Sequence, residues 1–192
     1  MKKILVILGH PNPSSFNAAL AKEYAAAAQS AGHQVEVLSL VDLQFDPILR
    51  MGYAQAQALE PDLLAAQSAI MQADHLVFVY PSWWGSVPAL LKGFIDRAFL
   101  PGFAFKYKKD SPWWDRLLAG RTAHLIVTMD TPGWYNWLMY GNSNIKAMKA
   151  ATLQFCGVSK VKVTTFTGIR TSTPDQRAHW LGKVGRLGRD GM

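Results

Sequence analysis

The chain of 192 residues holds a single cysteine, Cys156, which excludes an internal disulfide and a cysteine-based zinc site; no metal site is expected. Long hydrophobic runs are lacking as well. The apolar run Ile4–Leu8 stops at Gly9-His10-Pro11, too short for a signal peptide, and nothing approaches a membrane-spanning length. A soluble cytoplasmic protein, not inserted in a membrane, is the expectation. There is no GxGxxG and no glycine loop ending in Lys-Ser/Thr, which argues against a Rossmann dinucleotide site and excludes a Walker A phosphate loop. Acidic charge is scarce: 13 Asp and Glu against 20 Lys and Arg leave a net charge of +7. The basic residues are dispersed apart from Lys106-Tyr107-Lys108-Lys109 and the C-terminal segment, which favours a solvated basic surface attracting anionic cofactors over a nucleic-acid or acidic-membrane partner.

What is present is an alternation. Strand-like apolar runs recur at Ile4–Leu8, Val35–Leu40, His75–Tyr80, Ala123–Thr128 and Val161–Phe166. Between them, Ala18–Ala31 is rich in helix formers and stops at Gly32, a good residue just past a helix end. Asp62–Gln72 and Ser143–Phe155 read as helices, and Pro88 opens another through Leu90, Leu91, Phe94, Ile95 and Ala98. Thr173-Pro174-Asp175-Gln176 is a capping box for the last helix. Five strands alternating with five helices predict one α/β domain, a doubly wound parallel sheet between two helical layers. Gln44–Pro61, Leu100–Trp114 and Asp130–Asn142 read as irregular.

In such a sheet ligands bind beyond the carboxyl ends of the strands, so the loops there matter most. The first, His10–Asn17, leads through Ser14 and Ser15 into a helix start, where unpartnered N–H groups and the helix dipole favour a phosphate; on the plainer view either serine is only a helix cap. The third-strand loop carries Trp83 and Trp84, which cannot both face one core. They suit either a flat aromatic ligand or a packing role under the loop and at a subunit contact. In the fourth-strand loop, Asp130-Thr131-Pro132-Gly133, the aspartate is either an acid-base residue or a turn former.

Taken together, the first loop, Phe45-Asp46-Pro47, the block Pro81-Ser82-Trp83-Trp84-Gly85-Ser86-Val87-Pro88-Ala89-Leu90-Leu91-Lys92-Gly93-Phe94-Ile95-Asp96-Arg97, Gln154-Phe155-Cys156-Gly157 and Thr173-Pro174-Asp175 resemble the flavodoxin-like NAD(P)H:quinone oxidoreductases over nearly the whole chain. The resemblance implies strand order 2-1-3-4-5 with a flavin, FMN or FAD, at the switch point. It implies that His10, Ser14, Ser15, Phe16 and Asn17 hold the phosphate and ribityl chain. Ser82, Trp83, Trp84 and Gly85 would line the ring, and Asp130, Thr131, Pro132 and Gly133 would bond its pyrimidine edge. It further implies a homodimer with the site at the subunit contact. The implied reaction is two-electron, ping-pong hydride transfer from NAD(P)H through the flavin to quinones, nitro-aromatics or azo-aromatics. Some relatives are instead ancillary to potassium-efflux systems, which leaves a transporter partner as the alternative.

The chain departs from the family pattern in one respect. A Tyr and a His are expected after the third loop; Tyr135 or Tyr140 supplies the Tyr, but no histidine lies between His124 and His179, leaving water or Lys146 as proton source. His33 and His75 precede strands and need no special role, and Cys156, ahead of Gly157, reads as a small buried hydrophobe rather than a redox thiol.

Overall fold

The computed structural model describes residues 1–192. In chain order its elements are β1 (Lys3–Leu8), α1 (Phe16–Ser30), β2 (Gln34–Ser39), α2 (Pro61–Gln72), β3 (His75–Pro81), α3 (Ala89–Ala98), β4 (Phe105–Tyr107), β5 (Trp114–Arg116), β6 (Thr122–Met129), α4 (Gly133–Leu138), α5 (Ser143–Lys146), β7 (Lys160–Thr167) and α6 (Pro174–Arg189). The main sheet is parallel in the order β2-β1-β3-β6-β7. Once the two hairpin strands β4 and β5 are set aside, this is the predicted 2-1-3-4-5.

Alternation along β1 builds the two cores. Ile4, Val6 and Leu8 pack with Leu20 and Tyr24 of α1, Val79, Ile126 and Val184 of α6. Leu5 and Ile7 point the other way, into a larger cluster with Leu63, Ile70, Phe78, Leu91, Phe94 and Leu153. A strand flanked by two others and covered on both faces must be apolar at nearly every position, and β1 and β3 are. The predicted capping box is present at Thr173 and Gln176, and Gly32 adopts the left-handed conformation past α1.

Three predicted segments differ. Leu100–Trp114 is not wholly irregular: β4 pairs antiparallel with β5. Strands this short show no periodicity, and tertiary contacts hold the hairpin. The Trp114 indole stacks on Phe155 at 4.4 Å and donates to the Phe155 carbonyl at 2.8 Å. The predicted helix 143–155 is α-helical only over α5, and Ala147–Gln154 continues as a π-helix. There the Thr152 hydroxyl donates to the Ala147 carbonyl five residues back, at 2.9 Å. Finally, Asp130–Asn142 contains α4, which a search for an inward apolar stripe misses because its apolar side faces out.

Of the predicted irregular segment Gln44–Pro61, residues 44–60 have no regular structure beyond turns, yet they are fixed, and Pro61 opens α2. The fully buried Arg97 of α3 donates to the carbonyls of Asp46 and Ala58 and pairs with Glu60 at 2.8 Å. Pro47 lies so close to α3 that a Cβ on Gly93 would stand 2.5 Å from the Pro47 Cβ. Gly93 and Arg97 of the tryptophan motif are therefore a staple for this loop and not ligand contacts.

Candidate active site

Three strand ends converge. After β1, Gly9 N–H bonds the Val79 carbonyl at 2.9 Å, and the chain then folds through a relay of short bonds. Asn12 N–H donates to His10 Nδ1 at 2.9 Å, Ser14 N–H to Asn12 Oδ1 at 2.8 Å, and Ala18 N–H to the capping Ser15 Oγ at 3.2 Å. The relay leaves the Phe16 and Asn17 N–H groups and the Ser14 hydroxyl without an acceptor or donor from the chain. A helix start in this condition suits an anion. Because His10 Nδ1 accepts, its proton sits on Nε2, and burial holds its pKa below the ordinary value.

After β3, Trp83 and Ser86 exchange backbone bonds at 3.0 and 2.9 Å across a tight turn. The two central residues, Trp84 (φ 53°) and Gly85 (φ 66°), are both left-handed, as in a type I′ turn. Glycine adopts this freely; a tryptophan does so at a cost of roughly 1–3 kcal/mol, a form of strain that concentrates at functional sites. Trp84 is also fully exposed, so no core packing offsets that cost. The turn is clamped from behind: Ser143 Oγ donates to the Gly85 carbonyl at 2.5 Å, and the Tyr140 ring lies 3.6 Å from where a Gly85 Cβ would be. Trp83 meets the His10 ring edge-on at 5.4 Å, joining the first and second loops.

After β6, Thr128 is buried and pairs with the Asn17 side-chain amide, at 2.9 Å from Nδ2 and 3.1 Å from Oδ1. This bond pins the start of α1 to the end of β6. Asp130 Oδ1 accepts the Arg170 N–H at 2.6 Å, so its carboxylate already has a partner in the loop before α6. Pro132 then caps α4, with Gly133 its first residue. Tyr135 and Tyr140 meet edge to face at 5.4 Å. The Lys146 ammonium stands 3.7 Å from where a Gly141 Cβ would be, beside the same loop.

The three ends enclose a cavity of about 170 Å³. Of the residues predicted from sequence it brings together His10, Ser15, Phe16, Asn17, Ser82, Trp83 and Asp130. Ser14, Trp84, Gly85, Thr131, Pro132, Gly133, Tyr135 and Tyr140 lie outside its lining. Thr128 and Ile169 line it and were not anticipated. Thr128 was accessible in principle as a hydroxyl closing a buried strand; Ile169 carries no such signal. The free N–H groups and hydroxyl fit a phosphate with a polyol chain, and the exposed indoles fit a flat ring. A larger cavity, about 540 Å³, lies elsewhere, between α3, the β4–β5 hairpin and Phe155. Cys156 lines it, but burial pushes the thiol up to about 12, which keeps it protonated and inert.

A family model described as a flavodoxin-like fold matches residues 2–184. The ribosyldihydronicotinamide dehydrogenase [quinone] of Pongo abelii is 31% identical over 186 residues, covering 81% of this chain and 77% of its own. NAD(P)H dehydrogenase [quinone] 1 of Cavia porcellus is 28% identical over 208 residues, covering 94% and 74%. Among solved structures, Smu.1420 from Streptococcus mutans UA159 superposes with a TM-score of 0.82 at 36% identity, covering 98% of this chain and 99% of its own.

Proposed function

The chain belongs to the flavodoxin-like family of quinone-type NAD(P)H dehydrogenases, and we propose that it binds FMN or FAD at the convergent strand ends and reduces quinones or related electrophiles with NAD(P)H. One observation carries this reading: a helix start with free N–H groups beside a strained, fully exposed Trp84 at the switch point of the sheet. When bound, the flavin supplies two-electron redox chemistry, a hydride taken from the nicotinamide and delivered to the acceptor, the two substrates using one site in turn.

The residues divide that work. Phe16 and Asn17 N–H, with the hydroxyls of Ser14 and Ser15, hold the phosphate, and neutral His10 adds an Nε2–H donor at the same end. Trp83 and Trp84 would wall the ring, and the glycine at 85 would let the backbone of the turn approach it. The Asp130–Gly133 loop would bond the pyrimidine edge. A carboxylate accepts and does not donate, and that of Asp130 already takes the Arg170 N–H, so the backbone N–H groups of this loop would be the donors. Tyr135 or Tyr140 hydroxyl supplies a proton to the reduced acceptor, with Lys146 or water in reserve. A homodimer with the site at the subunit contact belongs to the same reading.

Purified protein is expected to be yellow and to bleach on anaerobic addition of NADH or NADPH. Mass determination of the released flavin assigns FMN or FAD. Colourless protein that takes up neither flavin would sink the proposal.

A further inference from the structure

The clamp behind the Trp83–Ser86 turn comes from a segment with little to hold itself together. Helices α4 and α5 have six and four residues, below the length at which a helix is stable alone. Three asparagines supply what length does not. Asn136, the buried residue of α4, donates its amide to Asn142 Oδ1 at 2.8 Å and to Asn144 Oδ1 at 3.4 Å, and its backbone carbonyl accepts the Asn142 N–H at 3.0 Å. Asn144 Oδ1 also accepts the Ile145 N–H at 2.9 Å. Asn142 is left-handed (φ 55°), a conformation that its short polar side chain tolerates, and it turns the chain so that Ser143 opens α5. In such a network each member is fixed by the others. Its product is the placement of one exposed hydroxyl, Ser143 Oγ, on the Gly85 carbonyl.

That bond divides the turn. The Gly85–Ser86 peptide is tied at both ends, its carbonyl by Ser143 and its N–H by the Trp83 carbonyl at 2.9 Å. The Trp84–Gly85 peptide is tied at neither, because the Trp84 carbonyl and the Gly85 N–H have no partner in the chain. A left-handed tryptophan persists only where its surroundings over-determine it. Ser143 is the one side chain that hydrogen-bonds this turn.

We propose that Ser143 is a positioning residue: by holding the Gly85 carbonyl it keeps Trp84 left-handed and leaves the Trp84–Gly85 peptide free for the ligand. That the ligand is a flavin ring rests on the proposed function; the clamp stands on the chain's own bonds.

The test compares flavin release from the purified protein, Ser143→Ala and Ser143→Thr, followed by the rise of free-flavin fluorescence on dilution. Ser143→Ala is expected to release flavin roughly fivefold faster, the worth of one hydrogen bond, and Ser143→Thr, which keeps the hydroxyl, to restore the slow rate. In the Trp84→Gly background, where the strained indole is gone, Ser143→Ala is expected to add nothing. A rate untouched by Ser143→Ala, the same acceleration in both backgrounds, or no rescue by threonine would overturn the proposal. Amide exchange at the Ser86 N–H, read by nuclear magnetic resonance, reports the turn without reference to flavin and is expected to quicken on the order of fivefold in Ser143→Ala. Unchanged exchange overturns the proposal whatever the protein carries. Quickened exchange in protein that binds no flavin leaves the clamp standing and removes the proposed function. Ser143 lies outside both cores, so the alanine variant is expected to keep the fold, which far-ultraviolet circular dichroism checks.

Discussion

At the scale of single residues, the informative side chain is Trp84. A left-handed tryptophan with no packing is a local defect unless something else uses the indole, and the proposed flavin is that user. Opposite signs are therefore expected for stability and binding. Trp84→Gly removes the backbone strain at a position glycine favours and is expected to raise stability by about 0.5–1 kcal/mol, after the entropy cost of glycine in the unfolded chain. The same change is expected to weaken flavin retention clearly, measured by absorbance after gel filtration, while Cys156→Ala leaves retention unchanged. A lower melting temperature with retained flavin would make Trp84 a packing residue. His10 illustrates the limit of reading roles from type alone: the bond from Asn12 fixes its tautomer, a fact that exists only once the loop is folded.

At the scale of elements, the tryptophan motif separates into two jobs. Its first half forms the turn at the site, and its second half, through Gly93 and Arg97, ties the loop 44–60 to α3. Arg97 is fully buried and serves two carbonyls and the Glu60 carboxylate, so Arg97→Ala leaves both carbonyls unpaired and Glu60 with the Asp46 N–H. Such a change is expected to cost about 3–5 kcal/mol, read from the urea midpoint, with added proteolysis in 44–60. A loss below roughly 1 kcal/mol would show that the loop holds itself. This division also explains what the sequence discloses. Short strand-like apolar runs and the capping box made the five main strands and α6 legible, because alternation and capping are local in register. The β4–β5 hairpin depends on Trp114 meeting Phe155 from a distant segment, and α4 breaks the inward-apolar rule outright. Ser14 and Ser15 were legible as the approach to a helix start, whereas Thr128 enters only because β6 lies two strands from β1 in the sheet.

At the scale of the molecule, the two ends of the sheet are chemically unequal. The carboxyl end opens to the ligand, and the amino end buries imidazole among lysines. His75, at the start of β3, pairs with the Thr122 hydroxyl at 2.7 Å, and burial, reinforced by Lys2, His124 and Lys162, brings its pKa down to about 4. Burial also lowers His124, two strand positions further along β6. A histidine near 6.5 when unfolded and about 4 when folded binds its proton preferentially in the unfolded chain. The stability it reflects is complete above pH 6.5 and is lost as the pH falls toward 4. For His75 alone the loss by pH 4.5 is about 2–3 kcal/mol. The urea midpoint is accordingly expected to drop between pH 7 and 4.5, and His75→Asn, which keeps a polar partner for Thr122, to flatten that drop. Parallel curves for the two proteins would place the acid sensitivity elsewhere. Because this cluster lies at the edge of the sheet opposite the strand ends that form the site, the variant is also expected to keep its flavin at pH 7, separating the stability of the fold from occupancy of the site.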